Sequence, residues 1–264
     1  MNFFYWLYSY ILGYPISTYE SKLNGTLEVW RINGRRVLNS KNANYAFDSL
    51  HRIFQKSFRN SKIQHQNIDK ALILGFGVGS IATILQDEMN LNCEITGIEY
   101  DPVINEIGTK YFKTERFKNT KIIQTDALEF VENCRDKFQL IAIDLFNDLE
   151  VPKKFMGENF LTKVLHLLES GGELFFNCIA YNKVSTVRLQ NFISTLEKMN
   201  INYDLQIYYE YNYMLNIKNT PAPVYKTVKK YAWQKIERAT KVLLKSLLVR
   251  SSSSYPSVLK YTSR

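Results

Sequence analysis

The sequence is poor in cysteine and histidine. Its 264 residues include three cysteines, Cys93, Cys134 and Cys178, without Cys-x-x-Cys spacing, and three histidines. A scattered, odd set of cysteines excludes a disulfide framework or a zinc site and is typical of a reducing cytosol. No Ser-His-Asp order or metal-ligand spacing is present, and His51 is expected on a helix surface. We therefore predict a cytoplasmic protein without a metal.

Long apolar runs are also absent. The most apolar stretch, residues 3–12, is rich in aromatic side chains and is broken at Gly13 and Pro15. It is shorter than the roughly 20 residues that a membrane span requires. It also lacks the basic start and the cleavage site of a signal peptide. We expect a short helix that packs on the body or on a partner subunit, with interfacial membrane contact as the alternative.

Acidic residues are scarce at one end of the chain. Residues 218–264 carry eleven Lys or Arg and one acid, Glu237, whereas residues 1–217 carry 23 basic and 24 acidic residues. The net charge of +9 therefore belongs to this tail and does not indicate nucleic-acid binding by the body. Apolar and basic residues alternate at helical spacing over residues 226–248. They predict a basic amphipathic helix. Such a helix could contact an anionic membrane, a nucleic acid or an acidic partner, or it could simply pack on the body of the protein.

The hydrophobic pattern predicts an α/β fold. Residues 26–38 indicate a β-hairpin with Asn33-Gly34 as its turn, and residues 47–58 have helical spacing. Two final strands with no helix between them should pair antiparallel. From residue 70 onward, apolar strands (71–74, 93–98, 121–124, 138–143, 173–178, 204–209 and 213–217) alternate with helices (81–89, 103–112, 127–134, 155–168 and 183–199). This order predicts a Rossmann-like, mostly parallel seven-stranded sheet with an antiparallel C-terminal strand pair, preceded by a small N-terminal β-hairpin region.

The same pattern divides the chain into three regions. Residues 1–60 contain the aromatic segment, the β-hairpin and the helix after it. Residues 61–218 form a nucleoside-binding domain, and residues 219–264 form the basic amphipathic tail.

A glycine-rich turn is the most informative motif. Gly75, Gly77 and Gly79 alternate directly after the first apolar strand, and a helix follows. Glycine lets a backbone turn sharply and approach a ligand. Glu99 ends the next strand, where a carboxylate can accept hydrogen bonds from a ribose diol. The turn could lie against the amino-acid or aminopropyl part of a nucleoside ligand, or cradle a pyrophosphate. Either interpretation predicts a nucleotide-cofactor site.

Acidic residues end further strands of the predicted sheet. Asp126 ends the third strand, Asp144 ends the fourth, and Asp148 lies just beyond. Ligands of such sheets lie at the carboxyl ends of the strands, so we expect these residues around one crevice. The Asp126 carboxylate and the backbone N–H of Ala127 are placed to read an adenine edge. An NAD site more often has Gly-x-Gly-x-x-Gly, but Ser80 holds the last position here, which makes an NAD-dependent oxidoreductase the less favoured alternative.

These landmarks, in this order, resemble the spermidine-synthase-like (polyamine aminopropyltransferase-like) branch of the class I S-adenosylmethionine-dependent methyltransferase fold. The resemblance extends from about residue 21 to residue 180 and includes residues 99–102, Asp126-Ala127, and Gly171-Gly172 before a strand that contains Asn177. It implies a transferase of polyamine biosynthesis type, with S-adenosylmethionine or decarboxylated S-adenosylmethionine as co-substrate. An aminopropyl or methyl group would pass to a small-molecule acceptor such as an amine. Family members commonly dimerise, so the resemblance also implies a possible homodimer.

The resemblance assigns roles to four further residues. Asp144 would orient the acceptor amine and accept its proton, because the sulfonium donor already carries a good leaving group. Tyr45, Asn147 and Asp148 would bind the substrate. A purely structural role for Asp144, in holding its loop, is the alternative.

The acceptor side departs from the family pattern in two places. Aminopropyltransferases typically have Asp-x-x-Asp-Pro after this strand, whereas residues 144–148 read Asp-Leu-Phe-Asn-Asp, so Asn147 replaces the second acid or Asp148 displaces it by one residue. In residues 39–48, Asp48 is the only acid, and Lys41 would repel a cationic amine. These departures support an alternative function, a non-catalytic scaffold that binds an adenosine ligand and has a degenerate acceptor site.

Overall fold

The computed structural model describes residues 9–10, 12–40, 44–46, 49–147, 149–209 and 211–219. Most of the predicted aromatic segment, Asp148 and the predicted basic helix of residues 226–248 lie outside the described residues. None of the helices described is long and apolar enough to cross a membrane.

The N-terminal part is an antiparallel sheet of four strands rather than a hairpin alone. The predicted hairpin is present, and Asn33 and Gly34 have the positive φ angles of 49° and 75° that its tight turn requires. The flanking strand β1 has mostly exposed or half-buried side chains, so its sequence lacks the alternation that would predict it. The strands, in sheet order, are β1 (Tyr14–Ser21), β2 (Gly25–Ile32), β3 (Arg35–Ser40) and β4 (Asn44–Ala46).

The second sheet has seven strands and confirms the predicted fold class. Its strands are β5 (Lys70–Leu74), β6 (Glu94–Glu99), β7 (Thr120–Gln124), β8 (Phe138–Ile143), β9 (Leu168–Ile179), β10 (Asp204–Tyr208) and β11 (Asn212–Lys218). They are ordered β10-β11-β9-β8-β5-β6-β7. Strands β5 to β9 pair in parallel, and β11 is antiparallel to both of its neighbours. Because β5 is the middle one of the five parallel strands, the turn that follows it opens at the centre of their carboxyl edge.

Helices cover both faces of this sheet. They are α1 (Ser49–Asn60), α2 (Ser80–Ala82, continued by a π-helical stretch, Thr83–Glu88), α3 (Pro102–Ile107, continued by a second π-helical stretch, Gly108–Phe112), α4 (Ala127–Asn133), α5 (Glu158–Leu167) and α6 (Lys183–Lys198). Short 3₁₀ turns lie at Ile63–His65, Thr114–Arg116 and Lys153–Phe155. Side chains of α1 and α2 pack on one face, and side chains of α4, α5 and α6 pack on the other.

The predicted boundary between a helix at residues 155–168 and a strand at 173–178 was wrong. Helix α5 ends at Leu167, and β9 begins at Leu168, which is buried and pairs with Phe138. The register then shifts, so that Glu173 pairs with Leu140. Residues 169–172 therefore form a bulge, in which Gly171 has a φ of +82°.

The N-terminal sheet packs beside the carboxyl edge of the large sheet. Leu27, Val29 and Leu38 from β2 and β3 form one buried cluster with Ile104 and Ile107 of α3. Val78, in the glycine-rich turn, belongs to the same cluster. Burial of such side chains supplies the main stabilisation of this contact, and it fixes the small sheet next to the predicted site.

Candidate nucleoside-binding and active site

The glycine-rich turn is closed on two sides and open on the third. Gly75, Gly77 and Gly79 have positive φ angles of 86°, 57° and 88°. A Cβ on Gly75 would lie 2.3 Å from the backbone oxygen of Asp144, and one on Gly79 would lie 2.5 Å from the Phe117 ring. A Cβ on Gly77 would meet no atom within 4 Å. The space next to Gly77 is therefore the part of the turn that a ligand can approach.

Glu99 lies at the end of β6 with its carboxylate against this turn. Its Oε2 accepts a hydrogen bond from the Gly77 N–H (2.9 Å), and its Oε1 accepts one from the Asp101 N–H (2.9 Å). The residue is only 8% exposed. Burial raises the pKa of Glu99 to about 7, although these N–H groups oppose the shift. Each carboxylate oxygen keeps a second lone pair, so both can also accept from a vicinal diol.

Asp101, which the sequence analysis did not single out, connects Glu99 to the N-terminal sheet. Its Oδ1 caps helix α3 by accepting from the Val103 N–H (2.9 Å). Its Oδ2 accepts hydrogen bonds from the Ser21 hydroxyl and from Asn24 Nδ2 (2.6 Å for the latter). An aspartate directly before a proline at a helix start is a recognisable N-cap signal. The contacts with Ser21 and Asn24, about 80 residues away, have no such signal in the sequence.

Asp126 caps helix α4 at the end of β7. Its Oδ1 accepts from the Leu128 N–H (2.8 Å), and its Oδ2 is hydrogen-bonded by the ammonium group of Lys154. Burial alone would raise the pKa of Asp126, but the Lys154 and Leu128 donors outweigh it and hold the pKa below its ordinary value. Ala127, the first residue of α4, is buried. Sequence reasoning missed Lys154, because the turn that carries it has no pattern that points to Asp126.

Asp144 follows β8 and lies beside Gly75. Its N–H donates to the Leu74 oxygen (2.9 Å), which extends the pairing of β8 with β5. Its Oδ1 accepts from Asn177 Nδ2 (3.0 Å), and Asn177 is fully buried in β9. Burial raises the pKa of Asp144 to about 6, and the bond from Asn177 limits that rise. At neutral pH the group is mostly a carboxylate, with a proton affinity suited to general base catalysis.

Buried amide oxygens without partners lie on one face of the sheet, and two of them, on Asn177 and Asn212, are near the carboxyl end of β9. Asn177 Oδ1 and Asn212 Oδ1 have no hydrogen-bond partner among the described residues. Asn212 pairs with Ile179, two positions after Asn177, so both asparagine side chains point to the same sheet face. Buried acceptors without donors are costly, and they therefore suggest that a bound group supplies the missing N–H or O–H.

The structure shows only part of the remaining predicted substrate-binding residues. Asn147 is exposed, and its backbone pairs with that of Glu150. Tyr45 lies in β4, but its side chain is outside the described residues, as is the whole of Asp148. The predicted roles of these three residues remain predictions.

The expectation that His51 lies on a helix surface was wrong. The side chain is 7% exposed. One ring nitrogen is 2.9 Å from Ser80 Oγ, and the other is 2.8 Å from Glu88 Oε1. His51 thus joins α1 to the helix that starts at the glycine-rich turn, and the helical spacing could not show this because it does not reveal which neighbour covers a polar side chain.

The structure brings the predicted cofactor residues to one edge. Glu99, Asp126 and Asp144 end or directly follow β6, β7 and β8, and the glycine-rich turn follows β5 between them. Within the described part of the chain, no three His, Cys, Asp or Glu side chains are grouped to hold a metal ion. The arrangement brings three carboxylates, those of Glu99, Asp126 and Asp144, to the strand ends around one open turn.

The fold is that of class I S-adenosylmethionine-dependent methyltransferases in the form found in spermidine synthases. A probable spermidine synthase from Corynebacterium glutamicum superposes with a TM-score of 0.61 at 19% identity, covering 84% of this chain and 86% of that one. Human methyltransferase-like protein 13 in complex with SAH gives 0.57 at 20% identity, covering 75% and 93%. At these identities the likeness establishes the fold alone.

At the level of sequence, a polyamine aminopropyltransferase from Vibrio vulnificus is 29% identical over 119 residues, which is 44% of this chain and 40% of that protein. Other curated relatives are named as a probable polyamine aminopropyl transferase or as eEF1A lysine and N-terminal methyltransferase homologues. The chain covers less than half the length of these relatives. No protein-family model matches it.

Proposed function

We propose that this protein is a transferase that binds an S-adenosylmethionine-type nucleoside and transfers an aminopropyl, or alternatively a methyl, group to an amine acceptor. The observation that carries the proposal is the contact between Glu99 and the Gly77 N–H at the open side of the turn, with Asp144 beside Gly75. Glu99, as the diol acceptor, and Asp144, as the base, then follow the two strands that flank β5, on either side of the turn.

The nucleoside half of the site fits this ligand class. The free lone pairs of Glu99 suit the two ribose hydroxyls, and the space beside Gly77 admits a chain attached to the ribose. Asp126 and the start of α4 lie at the neighbouring strand end, where an adenine edge would lie. A dinucleotide is disfavoured because Ser80 stands where the last glycine of Gly-x-Gly-x-x-Gly would be.

Asp144 provides the chemistry on the acceptor side. The bound sulfonium would supply an activated carbon next to a good leaving group. An amine attacks only when it is unprotonated, so a carboxylate that orients it and takes up its proton accelerates the transfer. Asn177 fixes the orientation of the Asp144 carboxylate, and the free amide oxygens of Asn177 and Asn212 suit further N–H donors of an amine.

The choice between aminopropyl and methyl transfer is tested by the leaving product. We would incubate the protein with S-adenosylmethionine or its decarboxylated form and a panel of diamines, polyamines and lysine peptides, then quantify nucleoside products by mass spectrometry. Methylthioadenosine, formed only from the decarboxylated donor and an amine, would support aminopropyl transfer. S-adenosylhomocysteine, formed with a methylated acceptor, would support methyl transfer.

Two variants separate catalysis from binding in the same assay. Asp144→Asn should bind methylthioadenosine as the unmodified protein does but give no product, and Glu99→Ala should bind it more weakly. Binding without turnover across the whole panel would favour the non-catalytic scaffold. Binding of NAD alone would overturn the proposal.

A further inference from the structure

The carboxylate expected to read adenine is already engaged by a lysine. Lys154, in the turn Lys153–Phe155, donates from its ammonium group to Asp126 Oδ2, while Asp126 Oδ1 is used as the cap of α4. We propose that Lys154 is a specificity-determining residue, which competes with the exocyclic amino group of a 6-aminopurine for the exposed side of Asp126. The proposal rests on the proposed function in one respect, namely that the ligand is a purine nucleoside.

The geometry makes this competition direct. The Asp126 side chain is only 20% exposed, so little of its carboxylate is open to a ligand, and Lys154 occupies Oδ2, the oxygen that the cap does not use. The amino group of adenine and the lysine ammonium are both hydrogen-bond donors, so both would donate to the same lone pairs of Asp126 Oδ2. A ligand must displace Lys154 or share the oxygen with it.

In the same conformation, Lys154 also contacts an aromatic ring. Its side chain is 47% exposed, and its ammonium lies 4.8 Å from the centroid of the Phe155 ring. That ring is buried and packs edge-on against Phe160, so it is a fixed support. A cation can remain on such a ring after it leaves a carboxylate. The lysine can therefore yield to a ligand without refolding of the turn.

The consequence is reduced discrimination between purines. A 6-oxopurine presents an acceptor where adenine presents a donor, and Lys154 can donate to that oxygen. Lys154 thus weakens binding of the 6-amino base and strengthens binding of the 6-oxo base. Ion pairs between partly exposed side chains are worth up to about 1 kcal/mol, which is about fivefold in a dissociation constant.

The test compares two neutral nucleosides, methylthioadenosine and methylthioinosine, by calorimetric titration of the full chain. Lys154→Met should bind methylthioadenosine about threefold to fivefold more tightly and methylthioinosine more weakly than the unmodified protein. The matched control, Lys153→Met, removes the adjacent exposed lysine and should change neither constant. Lys154→Leu, which also lacks a hydrogen-bond donor, should behave like Lys154→Met, which guards against an effect of the methionine side chain itself.

Salt provides a second readout, because the probes are uncharged. Raising the ionic strength from about 50 to about 500 mM should tighten methylthioadenosine binding to the unmodified protein and leave Lys154→Met unaffected. Equal dissociation constants for the unmodified protein and Lys154→Met, or weaker methylthioadenosine binding to the variant, would overturn the inference while leaving the proposed function intact. If no variant bound either nucleoside, the proposed function and the inference would both fail.

Discussion

The buried Glu99 makes a quantitative prediction about the pH dependence of ligand binding. A carboxylate accepts hydrogen bonds from ribose hydroxyls best when it is ionised. Burial raises the pKa of Glu99 to about 7, compared with an ordinary value of 4.5. We therefore expect nucleoside affinity to fall as the pH decreases through neutrality.

The size of the effect follows from the ionised fraction of Glu99. With a pKa of about 7, that fraction is about 0.91 at pH 8 and about 0.09 at pH 6, so the dissociation constant should rise about tenfold, or about 1.4 kcal/mol. With the ordinary pKa of 4.5, the fraction would remain above about 0.95 throughout. Asp126 does not contribute in this range, because its pKa is lowered.

The assay is a calorimetric titration with methylthioadenosine, an uncharged ligand, at intervals between pH 6 and pH 8. Two control variants isolate Glu99. Asp144→Asn removes a second carboxyl whose pKa is raised by burial, and His51→Asn removes the histidine that contacts Ser80 at the start of α2. Both variants should keep the tenfold dependence. A dissociation constant that stays level over the whole range would refute the assigned role of Glu99.

Three further predictions concern the reaction and the framework around it. If Asp144 is the general base, kcat measured with saturating donor should fall below about pH 6, since the pKa of Asp144 is raised to about 6, and a kcat that stays level down to pH 5 would exclude the role. Gly75→Ala should destabilise the fold by at least about 2 kcal/mol in urea denaturation, because its Cβ would meet the Asp144 backbone oxygen at 2.3 Å. The control Gly171→Ala, with a similar φ but no atom within 4 Å, should cost only about 1 kcal/mol, and equal losses would contradict the argument. Asp101→Ala removes a helix cap and two links to the N-terminal sheet, and should lower the unfolding free energy by about 1–3 kcal/mol, whereas an unchanged midpoint would contradict this.

The sheet was predictable because its strands are continuous apolar runs. Residues 71–74 and 138–143 are buried on both faces, and that burial dictates a sequence pattern distinct from the helices between them. Strand β1 carries no such pattern, since few of its side chains are buried. The start of β9 at Leu168 could not be predicted from the sequence either, because the bulge before Glu173 places polar residues and two glycines inside the strand.

Only those parts of the candidate site that depend on neighbouring residues in the sequence could be predicted. Glycines directly after a strand and acids at strand ends can be recognised from the local sequence. These signals were enough to predict that Glu99, Asp126 and Asp144 lie at one edge of the sheet. The contacts of Lys154 with Asp126 and of His51 with Ser80 join residues about 30 positions apart. Such contacts depend on how separate elements pack, and no spacing rule encodes them.

The most direct test of the account is a crystal structure of the protein with methylthioadenosine. We predict both ribose hydroxyls within hydrogen-bond distance, about 2.6–3.2 Å, of the Glu99 carboxylate, with the thioether beside Gly77 and facing Asp144. Electron density for the ligand at any other place, with the Glu99 carboxylate contacting only backbone, would contradict the central claim.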